Sequence, residues 1–213
     1  MKECVPFVDW RAVFEKTGAA RYFSHLDLTR AVGRALRRSG LDIWMSEGFT
    51  PRPHMVFTPP LPLGYESTCE LLDFRLNLGS GMDEKAFAAA FPPALPVRAV
   101  YQPQNKLKEI AFAKYVLNFE SGASAEAVKA LFSAPVNMVK RTKRSEQTVD
   151  ITEYIRELDC ADGLTLTAVL CCSADRTLSP AYLVQAMEEA GMEPRRVNVR
   201  RTAFYAADGS PFR

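Results

Sequence analysis

The spacing of apolar and polar residues predicts six secondary-structure elements in the first half of the chain. The clearest is a helix over 26–39, whose apolar residues recur every three or four positions. Ser24, with Asp27 three residues later, is a capping-box pattern, and Gly40 suits the left-handed position that often follows a helix. In chain order, the predicted elements are a strand at 8–16, the helix at 26–39, strands at 41–45 and 68–78, a helix at 83–91 and a strand at 97–101.

The second half repeats this β-α-β-β-α-β order without visible sequence identity to the first. Its predicted elements are a strand at 109–120, a helix at 124–133, strands at 136–143 and 164–172, a helix at 179–190 and a strand at 197–205, with a polar, partly extended insertion at 146–159. The duplicated order predicts an α+β protein with two tandem ferredoxin-like (βαββαβ) domains and antiparallel sheets. We place these domains at 1–104 and 105–213.

Composition agrees with two folded domains. The 213 residues are 47% hydrophobic and 24% charged, which is ordinary for globular proteins and excludes a disordered chain. No apolar stretch approaches the roughly 20 residues of a membrane span, and no signal-peptide pattern is visible. Five scattered cysteines lack metal-ligand spacing. We therefore expect a cytoplasmic protein with reduced thiols, no membrane association, and neither metal nor cofactor.

Charge is nearly balanced, so a nucleic-acid role would depend on local clusters. The net charge is +2, and the halves divided after residue 104 carry +1 each, from 12 basic against 11 acidic and 15 against 14 residues. The main cluster lies on the 26–39 helix, where Arg30, Arg34 and Arg37 share one side and Arg38 lies beside them. Guanidinium groups one turn apart suit successive phosphates, whereas the alternative is an ordinary solvated helix face.

A proline-rich segment at 48–64 follows, and it predicts a stiff surface loop. Within it, Phe49, Arg52 and His54 could stack on and pair with a single-stranded base or a phosphate. The alternative is a structural loop with Phe49 in the core. The sequence leaves open whether Arg52 converges with the arginines of the helix.

Two further basic clusters occur in the second half. One is expected at a β-turn and comprises Lys140, Arg141, Lys143 and Arg144; the other flanks the last strand and comprises Arg195, Arg196, Arg200 and Arg201. Both could simply aid solubility, and this interpretation is favoured for the second cluster.

The two histidines, His25 and His54, could serve as acid and base for RNA cleavage, but lone histidines are more often capping or packing residues. No nucleophile, phosphate-loop, dinucleotide or HExxH motif is present. An enzyme is therefore the weaker expectation.

Several motifs resemble a family of uncharacterised radical-SAM-linked proteins, DUF2344. They are Arg21-Tyr22-Phe23-Ser24-His25-Leu26-Asp27, Arg37-Arg38-Ser39-Gly40, Gly48-Phe49-Thr50-Pro51-Arg52-Pro53, Pro60-Leu61-Pro62-Leu63-Gly64 with Glu66-Ser67, and Val149-Asp150-Ile151 with Tyr154-Ile155. Members occur alone or fused behind a B12-binding radical SAM protein, often encoded beside a ribonuclease E/G-type protein. The resemblance implies the free-standing form and a role in RNA metabolism, and it brings no established catalytic residues.

The leading hypothesis is an RNA-binding accessory protein that acts in tRNA or rRNA modification or processing with a radical SAM enzyme. The alternatives are a protein–protein adaptor that docks on a radical SAM enzyme through the proline-rich loop, and, more weakly, a metal-independent ribonuclease. The oligomeric state is left open. The candidate RNA-binding residues are Arg21, His25, Arg30, Arg34, Arg37, Phe49, Arg52, His54, Lys140, Arg141, Lys143 and Arg144.

Overall fold

The computed structural model describes residues 6–141, 146–161 and 165–213. They form two compact units, of which the first ends at Leu107 and the second begins at Lys108. Both units combine helices with antiparallel sheet, so the chain is a mixed α+β protein. No helix among the described residues has the length and apolar character that a membrane span requires.

Unit 1 is a four-stranded antiparallel sheet with two helices. Its elements are β1 (Phe7–Lys16), α1 (His25–Arg38), β2 (Met55–Phe57), β3 (Glu66–Asn77), α2 (Glu84–Ala90) and β4 (Val97–Tyr101), with a 3-10 turn at Gly18–Tyr22. The strand order is β4-β1-β3-β2, and each neighbouring pair is antiparallel. Leu72, Phe74 and Leu76 alternate along β3 and enter the core together with Val32 and Leu36 of α1.

The predicted first helix is confirmed, and local chemistry explains both of its ends. The Ser24 Oγ accepts the Asp27 N–H (3.1 Å), and the Asp27 carboxylate accepts the Ser24 N–H (3.2 Å), which completes the capping box. Ser39 is the C-cap, and Gly40 follows with φ +73°, a left-handed conformation that costs glycine least.

The predicted strand at 41–45 is wrong. Ile43 and Met45 make only isolated bridges, to Leu76 and Pro53 respectively. The second strand of this sheet is instead the short β2, which occupies the edge of β3 opposite Leu72 to Phe74. Because that edge is filled over the middle of β3, the 41–45 segment can reach β3 only near its end.

Unit 2 also combines antiparallel strands with two helices. Its elements are β5 (Phe112–Glu120), α3 (Ala125–Leu131), β6 (Asn137–Arg141), β7 (Glu146–Asp150), β8 (Ile155–Ala161), β9 (Thr165–Cys171), α4 (Ala181–Glu189) and β10 (Arg195–Tyr205), with 3-10 turns at Leu107–Glu109, before β5, and at Ile151–Tyr154. Within the unit the strand order is β10-β5-β9-β8, while β6 and β7 form a separate two-stranded sheet.

The expected insertion at 146–159 is more ordered than its sequence indicates. It contains β7, the second 3-10 turn and most of β8, the strand that pairs with β9 at the edge of the sheet. Cys160 is the only buried residue of β8. Since an edge strand with one buried side chain carries little apolar alternation, periodicity alone does not reveal it.

The cysteines of the described residues, Cys69, Cys160, Cys171 and Cys172, are free thiols. Within the same residues no group of three or more histidine, cysteine, aspartate or glutamate side chains is arranged to hold a metal ion.

Candidate nucleic-acid interface

One face of α1 forms a wall of a groove in unit 1. The six residues on this wall recur at intervals of three and four, and they are Leu26, Thr29, Arg30, Gly33, Arg34 and Arg37. The apolar residues Leu28, Val32 and Leu36 take the opposite face and are buried. The amphipathic pattern of a single helix therefore anchors it on the sheet and presents three arginines to the groove.

The opposite wall of the groove includes one end of a loop, residues 46–52, whose two ends are clamped together by hydrogen bonds. The Ser46 N–H donates to the Arg52 carbonyl (2.8 Å), and the Arg52 N–H donates to the Ser46 Oγ (3.0 Å). The bridge between Met45 and Pro53 closes the same loop one residue further out. Arg52 and Pro53, with Met55 of β2, complete the groove lining.

The groove has a volume of about 550 Å³, within the range of sites that bind small ligands. Gly33 of α1 lies close to the side chain of Met55 on β2. A Cβ atom added to Gly33 would stand 3.4 Å from the Met55 Cε, in van der Waals contact, so a side chain larger than that of alanine would require the methyl group to move. Leu26 and Pro53 extend the apolar part of the lining.

The charge of this groove is positive and is not compensated within it. Arg30, Arg34, Arg37 and Arg52 line it and are exposed, and no carboxylate is among the lining residues. In the described part of the chain, none of these four guanidinium groups has a carboxylate oxygen within 4 Å. Asp27 is engaged in the helix cap: the Ser24 hydroxyl and backbone N–H lower its pKa, with a smaller contribution from the charge of Arg30.

Arg38 does not join the groove. Its Nη2 donates to the carbonyl of Ala90 at the end of α2 (2.8 Å). The residue is therefore used to connect the two helices of unit 1.

Phe49 lies at the centre of the clamped loop and is fully exposed. The structure thus rejects the alternative in which this ring packs into the core. Gly48 precedes it with φ +120°, a conformation that favours glycine. Arg52 lies three positions after Phe49, so their Cα atoms lie within about 11 Å of each other.

His25 belongs to a different, smaller cavity of about 10 Å³, enough for about one water. The His25 ring packs edge-on against Phe57 (5.6 Å between centroids) and lines this cavity with Lys16 and Glu70. The Arg21 carbonyl accepts from Lys16 Nζ (3.4 Å). These two candidates are not brought to the arginine groove.

His54 has other surroundings again. Its ring meets Trp44 edge-on at 6.4 Å. Burial lowers the pKa of His54, and the positive charge of Arg75 lowers it further. The two histidines thus have separate packing partners, and neither is among the residues that line the groove.

The basic clusters of unit 2 are only partly described. Lys140 and Arg141 lie at the end of β6, while their side chains, together with Lys143 and Arg144, fall outside the described residues. Arg195 pairs with Glu193 (2.7 Å) and Arg196 with Glu120 (2.8 Å). Arg201 is 1% exposed and stacks over Phe204 at 4.6 Å.

Sequence reasoning missed two features of unit 1. The apolar groove lining was detectable in part, because Leu26, Thr29 and Gly33 share the helical stripe of the arginines. A buried polar cluster was not detectable: Lys16 and Glu70 are each 3% exposed, and Glu70 accepts the Thr58 hydroxyl (3.2 Å). These residues are distant in sequence and meet only through strand pairing.

The fold and the groove together define a class: an α+β protein with antiparallel sheets and an arginine-lined groove in its first unit. The family described as "Uncharacterized protein conserved in bacteria (DUF2344)" matches residues 10–180, about four fifths of the chain. The chain belongs to this family. No curated protein matches the sequence.

Proposed function

We propose that the protein is an RNA-binding accessory protein that acts in tRNA or rRNA modification or processing, together with a radical SAM enzyme. The observation that carries the proposal is the groove of unit 1, where four exposed arginines converge without a carboxylate partner. Uncompensated cations around a concave surface attract a polyanion and contact its phosphates.

The spacing of the arginines supports a chain of phosphates over a single anion. Along the axis of α1, Arg30 and Arg34 are separated by about 6 Å, and Arg34 and Arg37 by about 4.5 Å. Each guanidinium offers a planar fork of donors to phosphate oxygens. Arg52, on the other wall, would contact the same strand from the opposite side.

The assignment to RNA and the radical SAM partner is supported by the resemblance to radical-SAM-linked proteins. We further propose that the protein is cytoplasmic and consists of two ferredoxin-like domains, 1–104 and 105–213. In both units a strand between the two helices in sequence lies at one sheet edge, and the first strand lies beside the last. The orders β4-β1-β3-β2 and β10-β5-β9-β8 are equivalent in this respect.

The test is RNA binding by the purified protein over a series of salt concentrations. A labelled 20-nucleotide single-stranded RNA and a bulk tRNA preparation serve as probes in filter binding. Four phosphate contacts to a single strand predict that log affinity falls against log salt with a slope of about −3. Crosslinking in cells, followed by sequencing of the attached RNA, would identify the natural ligand. Absence of binding at low salt would reject the proposal.

The adaptor hypothesis is the second candidate, and one observation favours it. Tyr22 and Leu63 are both exposed, and the hydrogen bond from Gly64 N–H to the Arg21 carbonyl (2.9 Å) brings their segments together. Exposed apolar side chains next to each other are typical of protein interfaces. Replacement of both by serine would abolish co-purification with a radical SAM enzyme and leave the RNA affinity unchanged if this patch is the docking surface.

A further inference from the structure

We infer that the groove and the loop of Phe49 together select unpaired nucleotides: the ring stacks on a base of single-stranded RNA while the arginines hold the adjoining phosphates. The inference rests on the proposed function and specifies its substrate class. The observation behind it is that one short loop carries both a fully exposed aromatic ring, Phe49, and Arg52, which lines the cationic groove.

Phe49 contributes nothing to the core, yet its loop is well braced. Two hydrogen bonds between Ser46 and Arg52, and the bridge between Met45 and Pro53, hold the two ends of the loop. A ring held in water on such a loop is a prepared surface for stacking, because little conformational freedom is lost when a base binds. Arg52 couples this surface to the groove, since it belongs to both.

The distances fit a nucleotide chain. Phe49 and Arg52 are at most about 11 Å apart at their Cα atoms, so a base on the ring and a phosphate on the guanidinium can belong to the same or neighbouring nucleotides. The wall formed by α1 then offers further cations at steps of about 6 and 4.5 Å.

Two features argue against a duplex. The bases of an RNA duplex stack on one another and cannot reach a protruding ring, whereas those of loops and single strands can be splayed out. The groove lining also includes the apolar residues Leu26, Pro53 and Met55. Such surface suits the faces of bases and riboses, while a duplex exposes mainly its phosphate backbone.

The experiment measures binding to the full-length protein by the fluorescence anisotropy of three labelled probes. They are a single-stranded oligouridylate of 12 nucleotides, an RNA duplex of 12 base pairs, and an abasic phosphodiester strand of 12 units. The variants are Phe49→Ala, Phe49→Tyr and, as a control, Leu63→Ala, another exposed apolar residue of unit 1. We expect wild type to prefer the single strand over the duplex and over the abasic strand. Phe49→Ala should weaken oligouridylate binding by about 5- to 150-fold, the range for loss of one stacked base.

Phe49→Tyr and Leu63→Ala should retain wild-type affinity. The salt slope should be the same in Phe49→Ala as in wild type, because no charge is removed. The abasic strand should bind wild type and Phe49→Ala equally, since neither complex contains the stacking contact.

The outcomes separate this inference from the function on which it rests. Steep, salt-dependent binding in which duplex equals single strand, or in which Phe49→Ala has no effect, would overturn the inference and leave RNA binding intact. No binding of any probe would overturn both. A Phe49→Ala loss of the same size on the abasic strand would also overturn the inference, because that loss could not come from stacking.

Discussion

The arginines that line the groove of unit 1 and those on and around β10 in unit 2 look alike in sequence and differ in the structure. In the groove, Arg34 and its three companions are exposed and have no carboxylate within ion-pair distance in the described residues. On β10 and its neighbours, Arg195 and Arg196 are paired with glutamates, and Arg201 is buried against a phenylalanine ring. The contrast teaches that the pairing of cations, more than their number, marks a surface that can bind a polyanion.

Charge balance explains why this difference matters. With a net charge of +2, the chain has no bulk attraction for nucleic acid. A paired arginine must lose its glutamate before it can bind phosphate, whereas an unpaired one loses only water. The groove therefore concentrates positive charge that no carboxylate within it offsets, whereas Arg195 and Arg196 are each offset by a glutamate.

The largest expected effect is on the free energy of unfolding, which a buried, paired arginine should support far more than a groove arginine does. Arg11 is fully buried, makes a bidentate ion pair with Asp73 (2.6 and 2.8 Å) and donates to the Asn105 carbonyl (2.8 Å). Arg11→Met leaves the partner carboxylate uncompensated and should lower the free energy of unfolding by about 3–5 kcal/mol. Urea unfolding followed by tryptophan fluorescence reports on unit 1, because both tryptophans lie there.

The matched control is Arg34→Met, for which we expect a change below about 0.5 kcal/mol, because the side chain is exposed and unpaired. Similar losses in the two variants would show that Arg34 supports the fold, and the comparison of the two kinds of arginine would fail.

The next effect concerns binding. The triple change Arg30→Ala, Arg34→Ala and Arg37→Ala removes three contacts of about 1 kcal/mol or more each, so single-stranded RNA affinity should fall about 100-fold or more. The slope of log affinity against log salt should become shallower by about 2. Thermal stability should change little. Filter binding over a salt series measures both quantities.

Unit 2 supplies a control of equal charge. Arg176→Ala, Arg195→Ala and Arg196→Ala also remove three cations, each of which lies against a glutamate. We expect this triple variant to bind RNA almost as wild type does. An equal loss in both triple variants would mean that net charge alone drives binding and that the groove has no special part.

A smaller effect on stability is expected from the N-terminal cap of α1, the helix that forms one wall of the groove. Ser24 exchanges hydrogen bonds with Asp27, whereas Ser124 caps α3 in unit 2 by accepting from Ala127 N–H (3.2 Å). Ser24→Ala should cost about 1 kcal/mol and Ser124→Ala the same or less. Hydrogen exchange should become faster in the first turn of the helix that loses its cap, and only there. Faster exchange throughout unit 1 in Ser24→Ala would show instead that the cap supports the whole unit.

The smallest effect is pH dependence from His54. Because burial, and then Arg75, lower its pKa below the ordinary 6.5, the folded state binds fewer protons than the unfolded state at mildly acidic pH. The stabilising contribution is therefore complete above pH 6.5 and is lost as the pH falls below that value. Thermal melts at pH 7.5 and 5.5 should show a smaller acid-induced decrease in His54→Gln than in wild type. An equal decrease in both would assign the acid sensitivity of this range to other groups.

Part of the candidate site could be predicted from the sequence, because it lies within one helix. Arg30, Arg34 and Arg37 share a face as a consequence of helical periodicity, and Gly33 lies on the same stripe. The sequence singled out Arg52 as a candidate residue but could not locate it relative to α1. Its position opposite α1 depends on the loop closure between Ser46 and Arg52 and on the pairing of β2 with β3.

The sequence by itself determined what short-range physics controls: the first helix with its capping box at Ser24, its end at Gly40, and the stripe of arginines along it. Tertiary structure alone decided which arginines remain unpaired, which segment becomes the second strand of unit 1, and that Lys16 and Glu70 are buried together. The reason is the distance along the chain over which each kind of interaction acts. Capping and periodicity act between residues three or four positions apart, whereas ion pairs such as Arg196 with Glu120 join residues that only the folded sheet brings together.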